Sequence, residues 1–382
     1  FLVDTQAPEY QLEKNVVADQ MYVSACSLHD YPVSRADILH TGKAAWDAAL
    51  ATVNVGKVNL GWASIGICEH AFYEAVTHAD NRVLYGSKVT TFPHVRRMFG
   101  DAYARLLAMK LYSARSADYF RCASEDDRRF LLFNPITKMK VTSEGERVID
   151  LLWEIIAARG FESDTYFEQA AQHIRALPKL EGTVHVNLAL VLKFLPQYLM
   201  ATGDYTEVPV RQDAADDAYL FEQGPAKGLG KITFGPWRPA LEKYAHLPNV
   251  ARFLEQVDAF TQLVMTQPPS AEQQKDLDFL LTLGQLFTQV VYAQLVCESA
   301  GQPRPGTVSD MALTDAHIDR IFAVFVQDVA EIAVALHGQA SATDGQRTAA
   351  LGLIKAPVIE ADAEAAFVAE VLALSGAYVM PE

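Results

Sequence analysis

The strongest constraint on this chain is a long helical run from Lys43 to about Asn81. Ala44, Ala48, Leu50, Val53, Val55, Val58, Ile65, Ile67 and Ala71 carry its apolar series, the pattern of one long buried helix. Gly56, Gly61 and Gly66 recur within it at every fifth position. Each glycine in a helix interior costs about 1 kcal/mol relative to alanine, and close approach of another helix or a ligand is the usual return. A short link, Tyr85-Gly86-Ser87-Lys88, leads to a second helix over about Phe92–Ala123. Asn134-Pro135 opens a third, with Val148, Leu151, Leu152, Ile155 and Ile156 as its core stripe and Arg159-Gly160 as its stop. After an irregular, partly helical link to Leu180, a fourth helix is expected from Thr183 to Leu199. Four long helices with short links predict an antiparallel bundle.

The flanks differ from this centre. Residues 1–40 read as strands, rich in β-formers around Met21-Tyr22-Val23 and on to Val33, and punctuated by Pro8, Pro32 and the turn Ser34–Asp37. Residues 203–240 are loop-like, with Gly203, Gly224, Gly228, Gly230 and Gly235 breaking any long element and a polar stretch from Arg211 to Asp217. Helices then resume. Ser270-Ala-Glu-Gln273 fits a capping box, predicting a helix from there to about Ser299. Gln302-Pro-Arg-Pro-Gly306 reads as a hinge, and Ile318, Ile321, Phe322, Phe325, Val329, Ile332, Ala333 and Leu336 form a core-facing stripe. The expected divisions are 1–40, 41–203 and 204–382.

Composition removes several function classes. Lys plus Arg number 32 and Asp plus Glu 47, a net charge of −15, which argues against nucleic acid or an anionic membrane as the main partner. A chain that is half apolar is not disordered over most of its length. Cys26, Cys68, Cys122 and Cys297 are widely spaced with no CxxC pair. That argues against a disulfide framework or structural zinc and for a reducing, cytoplasmic setting. No apolar run is expected to reach the roughly 18 residues of a membrane span, the best candidate, Val186–Met200, being interrupted by Lys193 and Pro196. The opening Phe1-Leu2-Val3 starts inside an apolar run and reads as part of a longer protein.

Among motifs that carry chemistry, the GxSxG elbow, the P-loop, HExxH and GxGxxG are absent, and Gly228-Leu229-Gly230 reads as a turn. His70, Glu74 and His78 share one helix face. Such a face can bind a divalent metal, but solvent or interface contact is the commoner use, and no metal is expected. The informative stretch is Arg175 to Asn187. Glu181 stands between Leu180 and Gly182, just before a helix. A carboxylate in apolar surroundings gains proton affinity through desolvation, which suits a general base. Gly182 permits close approach of a flat ligand. Thr183 and the free N–H groups of the new helix can hold an acceptor or an anion.

The order and spacing of these pieces over residues 41–203 resemble the C-terminal helical domain of the acyl-CoA dehydrogenases. Arg82-Val-Leu-Tyr85-Gly86 is similar to that family's arginine, two residues, aromatic, glycine motif. Phe92-Pro-His-Val-Arg96 is similar to its Phe-Gln-x-Val-Arg/Lys pattern. Gly160 lies 21 residues before Glu181, as the family's glycine-rich turn precedes its Tyr-Glu-Gly-Thr glutamate. Residues before Lys43 resemble the last strands of its middle β-domain, and residues 204–382 resemble the helical extension of very-long-chain members. There the extension packs on the catalytic body and favours a dimer. The resemblance therefore implies a mainly α fold: a helical bundle preceded by remnant β-strands and followed by an extra helical domain.

The resemblance also assigns roles. It makes Glu181 the base that removes the α-proton of an acyl-CoA thioester, and FAD the acceptor of the β-hydrogen as hydride, giving a trans-2-enoyl-CoA. It gives the Glu181 N–H a share in oxyanion stabilisation. Gly182 and Thr183 contact flavin or substrate, Lys57 stands where relatives often have an arginine near the base, and Arg82, Tyr85 and Gly160 face the flavin of a neighbouring subunit. A homo- or hetero-oligomer and an acceptor such as an electron-transfer flavoprotein are the implied partners. An acyl-CoA oxidase and a non-catalytic subunit are the alternatives. Three stretches depart from the pattern. The glycine-rich turn reads Glu154-Ile-Ile-Ala157-Ala158-Arg-Gly160, the downstream Arg-Asp pair reads Gln172-His173, and the tyrosine before the glutamate is Leu180. A carboxylate at Glu154 would repel a diphosphate unless protonated or paired.

Overall fold

A computed structural model of the chain describes residues 1–17, 23–201, 203–211, 217–302 and 313–377. Its contacts divide it into two units, Phe1–Thr52 and Val53–Glu382. In the first, β1 (Tyr10–Asn15) pairs antiparallel with β2 (Ser24–Leu28), with a bulge between Leu12 and Lys14. Met21 and Tyr22, expected among the β-formers there, lie outside the described residues. Beyond β2 the chain forms no further strand before Gly42. Instead Ser34 caps the short turn Arg35–Asp37, and the Asp37 carboxylate accepts the Ser34 N–H at 2.7 Å. Helix α1 (Gly42–Asn81) follows at the bounds its apolar series predicts.

In the second unit a two-residue turn joins β3 (Val83–Leu84) to β4 (Ser87–Lys88). Tyr85 and Gly86 are both left-handed, φ 53° and 78°, as a tight hairpin of the primed type requires. Helix α2 (Pro93–Arg121) begins with proline in its first turn, where the missing N–H is harmless. The third predicted helix starts earlier than expected. α3 (Phe130–Ile136) runs through a π turn (Thr137–Val141) into α4 (Thr142–Ile156). Phe130 to Phe133 are all buried, so tertiary packing extends the helix upstream of Asn134 and takes Pro135 into its interior. Then come α5 (Phe167–Ala176), α6 (Val184–Val191) and α7 (Leu195–Leu199). The last two replace the single expected helix over 183–199, because the 3-10 turn Leu192–Phe194 and Pro196 interrupt it.

The rest of the unit holds α8 (Arg238–Glu242), α9 (Pro248–Thr266), α10 (Leu277–Ala300), α11 (Asp315–Gly338), α12 (Asp344–Leu351) and α13 (Ala361–Leu372). The capping box at Ser270 and Gln273 forms, with reciprocal bonds of 3.0 and 3.2 Å, but it opens only a 3-10 turn. The helix proper starts at Leu277 because the Asp276 carboxylate takes over as cap, accepting the Phe279 N–H at 3.2 Å. Most of the predicted hinge after Gln302 and most of the polar stretch after Arg211 fall outside the described residues.

Helix α2 is buried on every face and occupies the centre. Helices α4, α10, α11 and α13 all pack on it. Phe99, Leu107 and Tyr112 of α2 share one core with Phe287 and Tyr292 of α10 and with Phe322 and Phe325 of α11. Tyr112 stacks on Tyr292 at 4.7 Å. The expected boundary at 203/204 therefore does not separate two cores. The expectation about apolar length also needs correcting. α10 and α11 are long and apolar enough to cross a membrane by length and composition alone, but 83% and 56% of their apolar windows are buried within the protein.

One charge network crosses this core. The Arg105 guanidinium on α2 donates to both Asp328 oxygens on α11, at 2.8 and 3.0 Å, and to Glu144 on α4 at 2.5 Å. Lys140 donates to Glu144 at 2.6 Å and Arg147 to Asp328 at 2.7 Å. Burial alone would push both carboxyls up, but the surrounding cations more than reverse it and hold Asp328 and Glu144 below the usual carboxylate range. Stabilisation from a carboxylate whose value is lowered by folding is present above its unfolded value and lost as pH falls through the folded one. Asp328→Ala removes the carboxylate shared by Arg105, Lys140 and Arg147, leaves Glu144 alone against the two buried cations, and should cost about 3–5 kcal/mol at neutral pH. Denaturant titrations should show that difference shrinking in acid, and a loss well under that range would mean the network carries little of the fold.

Candidate functional site

The loop between α5 and α6 is shaped by an unusual backbone. After a 3-10 turn over Leu177–Lys179, Leu180 is extended, and Glu181 and Gly182 are both left-handed, with φ 49° and 85°. Glycine adopts that geometry freely, whereas a residue with a side chain meets a cost of about 1–2 kcal/mol. Thr183 returns to extended backbone as the N-cap of α6, its hydroxyl accepting the Val186 N–H at 3.4 Å. Asn187, one turn into α6, is buried and donates to the carbonyls of Gly182 at 3.1 Å and Thr183 at 3.0 Å. Gly182 is thus demanded by its own chain, whatever it admits as a ligand.

The double left-handed turn lays the Glu181 side chain over helix α1. A Cβ at Gly56 would stand 2.8 Å from Glu181 Oε1 and 3.0 Å from Cδ. Two of the three periodic glycines therefore return a close approach: Gly56 to this carboxylate, and Gly61 to Thr137, whose methyl would lie 2.5 Å from an added Cβ. Gly66 meets nothing within 4 Å. Lys57, next along α1, is buried. That burial lowers its proton affinity and the Glu181 carboxylate pulls it partly back. Beneath the loop lies Lys138, on the π turn. Its Nζ donates to the Pro178 carbonyl at 2.5 Å and also to the Gly182 carbonyl. Burial, then the neighbouring Lys57 and Lys179, bring Lys138 down to about 8 against a partial pull upward from Glu181.

The dry pocket expected around Glu181 is not what the chain builds. Glu181, Gly182 and Thr183 are exposed, and Leu180 and Val186 beside them are 47% and 62% exposed. Leu177 and Pro178 take the core positions instead, because the left-handed turn throws the next side chains outward. Nothing among the described residues accepts the Glu181 N–H. What surrounds the carboxylate within the chain is charge, from Lys57 and Lys138. Sequence reasoning missed Lys138 and Gly56 as members of this group. The available signal for Lys138 was a cation set among Ile136, Met139 and Val141, all of them core residues, with Lys140 the second cation of the stretch.

The remaining candidates form a second group at the far end of α1. Lys57 and Asn81 lie on one uninterrupted helix, roughly 36 Å apart at 1.5 Å per residue. Arg82 and Arg159 both bear electrostatically on His78 near that end. Tyr85, at the hairpin tip, is 98% exposed, an aromatic body held in water. Gly160 is buried, and a Cβ there would meet Ile156 at 3.0 Å and Phe167 at 3.4 Å, so packing within the chain accounts for it. Ala157 holds φ 56° and ψ −138°, the strained geometry a glycine would adopt freely. Glu154 is exposed. On the histidine face, His70 stacks on Tyr166 at 3.9 Å and the Glu74 carboxylate accepts the Tyr166 N–H at 3.1 Å. Among the described residues, no cluster of three or more His, Cys, Asp or Glu side chains is arranged to hold a metal.

Residues 45–195 match the family model described as acyl-CoA dehydrogenase, C-terminal domain. Curated relatives include a 3-(aryl)acrylate reductase of Clostridium sporogenes, 21% identical over 196 residues, which are 50% of this chain and 50% of that protein. Another is the mitochondrial short-chain specific acyl-CoA dehydrogenase of Bos taurus, 21% identical over 197 residues, 50% of this chain and 46% of that protein. The chain spans about half the length of these relatives. Among solved structures, an acyl-CoA dehydrogenase complexed with FAD from Bacillus anthracis superposes with a TM-score of 0.65 at 14% identity, covering 97% of this chain and 64% of that one. That likeness establishes the fold.

Gly56→Ala separates the two demands on its position. Alanine in a helix interior should hold or raise stability by about 0.5–1 kcal/mol, while its Cβ displaces the Glu181 carboxylate. Thermal unfolding and the chemical shift of a labelled Glu181 carboxyl measure the two effects. An unmoved resonance would show that the carboxylate does not rest on Gly56.

Proposed function

We infer, from a chain whose residues 45–195 are a C-terminal domain of the acyl-CoA dehydrogenase family, that it takes part in α,β-dehydrogenation of an acyl-CoA thioester with Glu181 as the base. The observation that carries this reading is the placing of one carboxylate on a strained turn, against a helix glycine and beside two lysines. Strain of that kind is retained where geometry matters to function. Lys57 and Lys138 are the cations beside this carboxylate, and each feels its charge. The free Glu181 N–H is available to a thioester oxygen as negative charge develops on it. Exposed Leu180 and Val186 supply an apolar rim that the acyl portion would cover, and covering it would provide the desolvation the chain lacks alone. Lys57 would then face the substrate from α1.

FAD is the cofactor that suits this role, and when bound it supplies the acceptor for the β-hydrogen. The chain's residues fit parts of such a site. Gly182 and Thr183 lie beside the base, while Arg82 and Tyr85 offer a cation and an exposed aromatic at the other end of α1. A helix of that length separates the groups by more than one flavin dinucleotide spans. They would therefore serve two different flavins, each completed by another subunit. That supports an oligomer, and an acceptor such as an electron-transfer flavoprotein would draw off the electrons. A second reading, an assembly subunit whose partner supplies the chemistry, is favoured by the exposure of Glu181, Gly182 and Thr183.

The test uses the intact protein that contains this chain, with every subunit it requires. Acyl-CoA should bleach its flavin absorbance, and Glu181→Gln should keep the flavin while slowing bleaching by roughly 10²–10⁴-fold, the usual contribution of a general base. Normal bleaching in the variant would place the base elsewhere. No bleaching with any acyl chain length would reject the reaction, flavin stoichiometry would decide for the assembly subunit, and hydrogen peroxide formed in air would mark an oxidase.

A further inference from the structure

Lys138 is the most unusual charged group in the molecule. Its side chain is fully buried on the π turn, yet its hydrogen bonds go to backbone carbonyls and not to a carboxylate. Arg105, Arg115, Arg129 and Arg320 each meet an acidic side chain, while buried Lys57 is drawn to Glu181 through space. Lys138 instead donates to two backbone carbonyls that bracket Glu181, at Pro178 and Gly182. We propose that Lys138 is the positioning residue of Glu181, clamping the carbonyls on both sides of the left-handed turn so that the carboxylate is held over Gly56. The proposal rests on the reading of Glu181 as the base.

Two features distinguish this from an ordinary buried anchor. First, the turn already has a neutral clamp. Asn187 donates to the carbonyls of Gly182 and Thr183, so the Gly182 carbonyl has a neutral donor besides the cation, whereas Pro178 is served by Lys138. What Lys138 adds is charge, close enough to Glu181 to feel the carboxylate. Second, the charged groups facing Lys138 are Lys57 from α1 and Lys179 and Glu181 from the loop. Lys179 is exposed and paired with Glu146 at 2.6 Å, so the buried cations are Lys57 and Lys138, and Glu181 is the carboxylate that acts on both. Near pH 8 the ammonium gives up its proton. The neutral amine keeps two donors for the two carbonyls, so the clamp survives while the field on Glu181 disappears.

The experiment compares Lys138→Met, which keeps side-chain length but removes charge and donors, with Asn187→Ala, which removes the neutral clamp and leaves the charge. Both are made in the intact, flavin-loaded protein. Hydrogen exchange over residues 177–187 should quicken by about tenfold or more in either variant, the loss expected for a hydrogen bond to a charged group or its neutral neighbour, with α2 and α10 unchanged. The rate of flavin reduction by acyl-CoA should fall in Lys138→Met with KM little altered. The wild type and Asn187→Ala should show a limb near pH 8 in that rate, and Lys138→Met should lack it.

A retained limb in Lys138→Met, or identical pH profiles in the two variants, would overturn the proposal. So would a loss of protection throughout α2 and α10, which would make Lys138 a stability residue only. Glu181→Gln run in parallel tells the two levels apart. If it reduces flavin normally, the base assignment fails. If it is inactive while Lys138→Met leaves exchange and pH profile untouched, only the positioning role fails.

Discussion

The bidentate grip of Arg105 on Asp328 joins what would otherwise be two helical layers. Arg105 sits midway along the central helix α2, and Asp328 sits on α11, in the part of the chain beyond residue 203. A buried pair of this kind is seldom a large net stabiliser, because desolvating both ions offsets most of their attraction. Its force is directional. Either partner left alone in the core would be strongly unfavourable, so α11 can dock on α2 in only one register. Glu144, Lys140 and Arg147 extend the constraint to α4. Lys140 belongs to the same π turn as Lys138, so the registration of the core is transmitted directly to the floor beneath the candidate loop.

That connection explains why the loop can hold two left-handed residues in succession. Strained backbone persists only where surrounding structure over-determines it. Here the π turn supplies Lys138 from below, α6 supplies Asn187 from the side, and α1 supplies the open face at Gly56. Each comes from a different element, and each is fixed in the core through other residues. The carboxylate itself remains at the surface, so the scaffold positions the group while its dry environment is left to whatever covers it.

The family resemblance and the structure inform each other unevenly. Glu181, Gly182 and Thr183 are contiguous, so their order can be read directly along the chain. Gly160 illustrates the opposite case. Its spacing marked it as part of a flavin-facing turn, but the space beside it is filled by Ile156 and Phe167. Gly56 had been legible only as a helix glycine with an unexplained cost. The approach it permits comes from a residue 125 positions away in the chain, and no local pattern encodes that.

Read by itself, the sequence determined the helical character of residues 43 to 199, the bounds of α1 and α2 almost to the residue, and the family resemblance of the central stretch. These are properties of periodicity, caps and short motifs, which act over a few turns. Only the tertiary structure decided that the later helices share the bundle's core, that Pro135 is absorbed into a helix, and that Glu181 lies exposed across Gly56 with Lys138 underneath. Those outcomes depend on burial and on charges brought together from distant segments. Their energies arise between elements, so they exist only once the elements have packed.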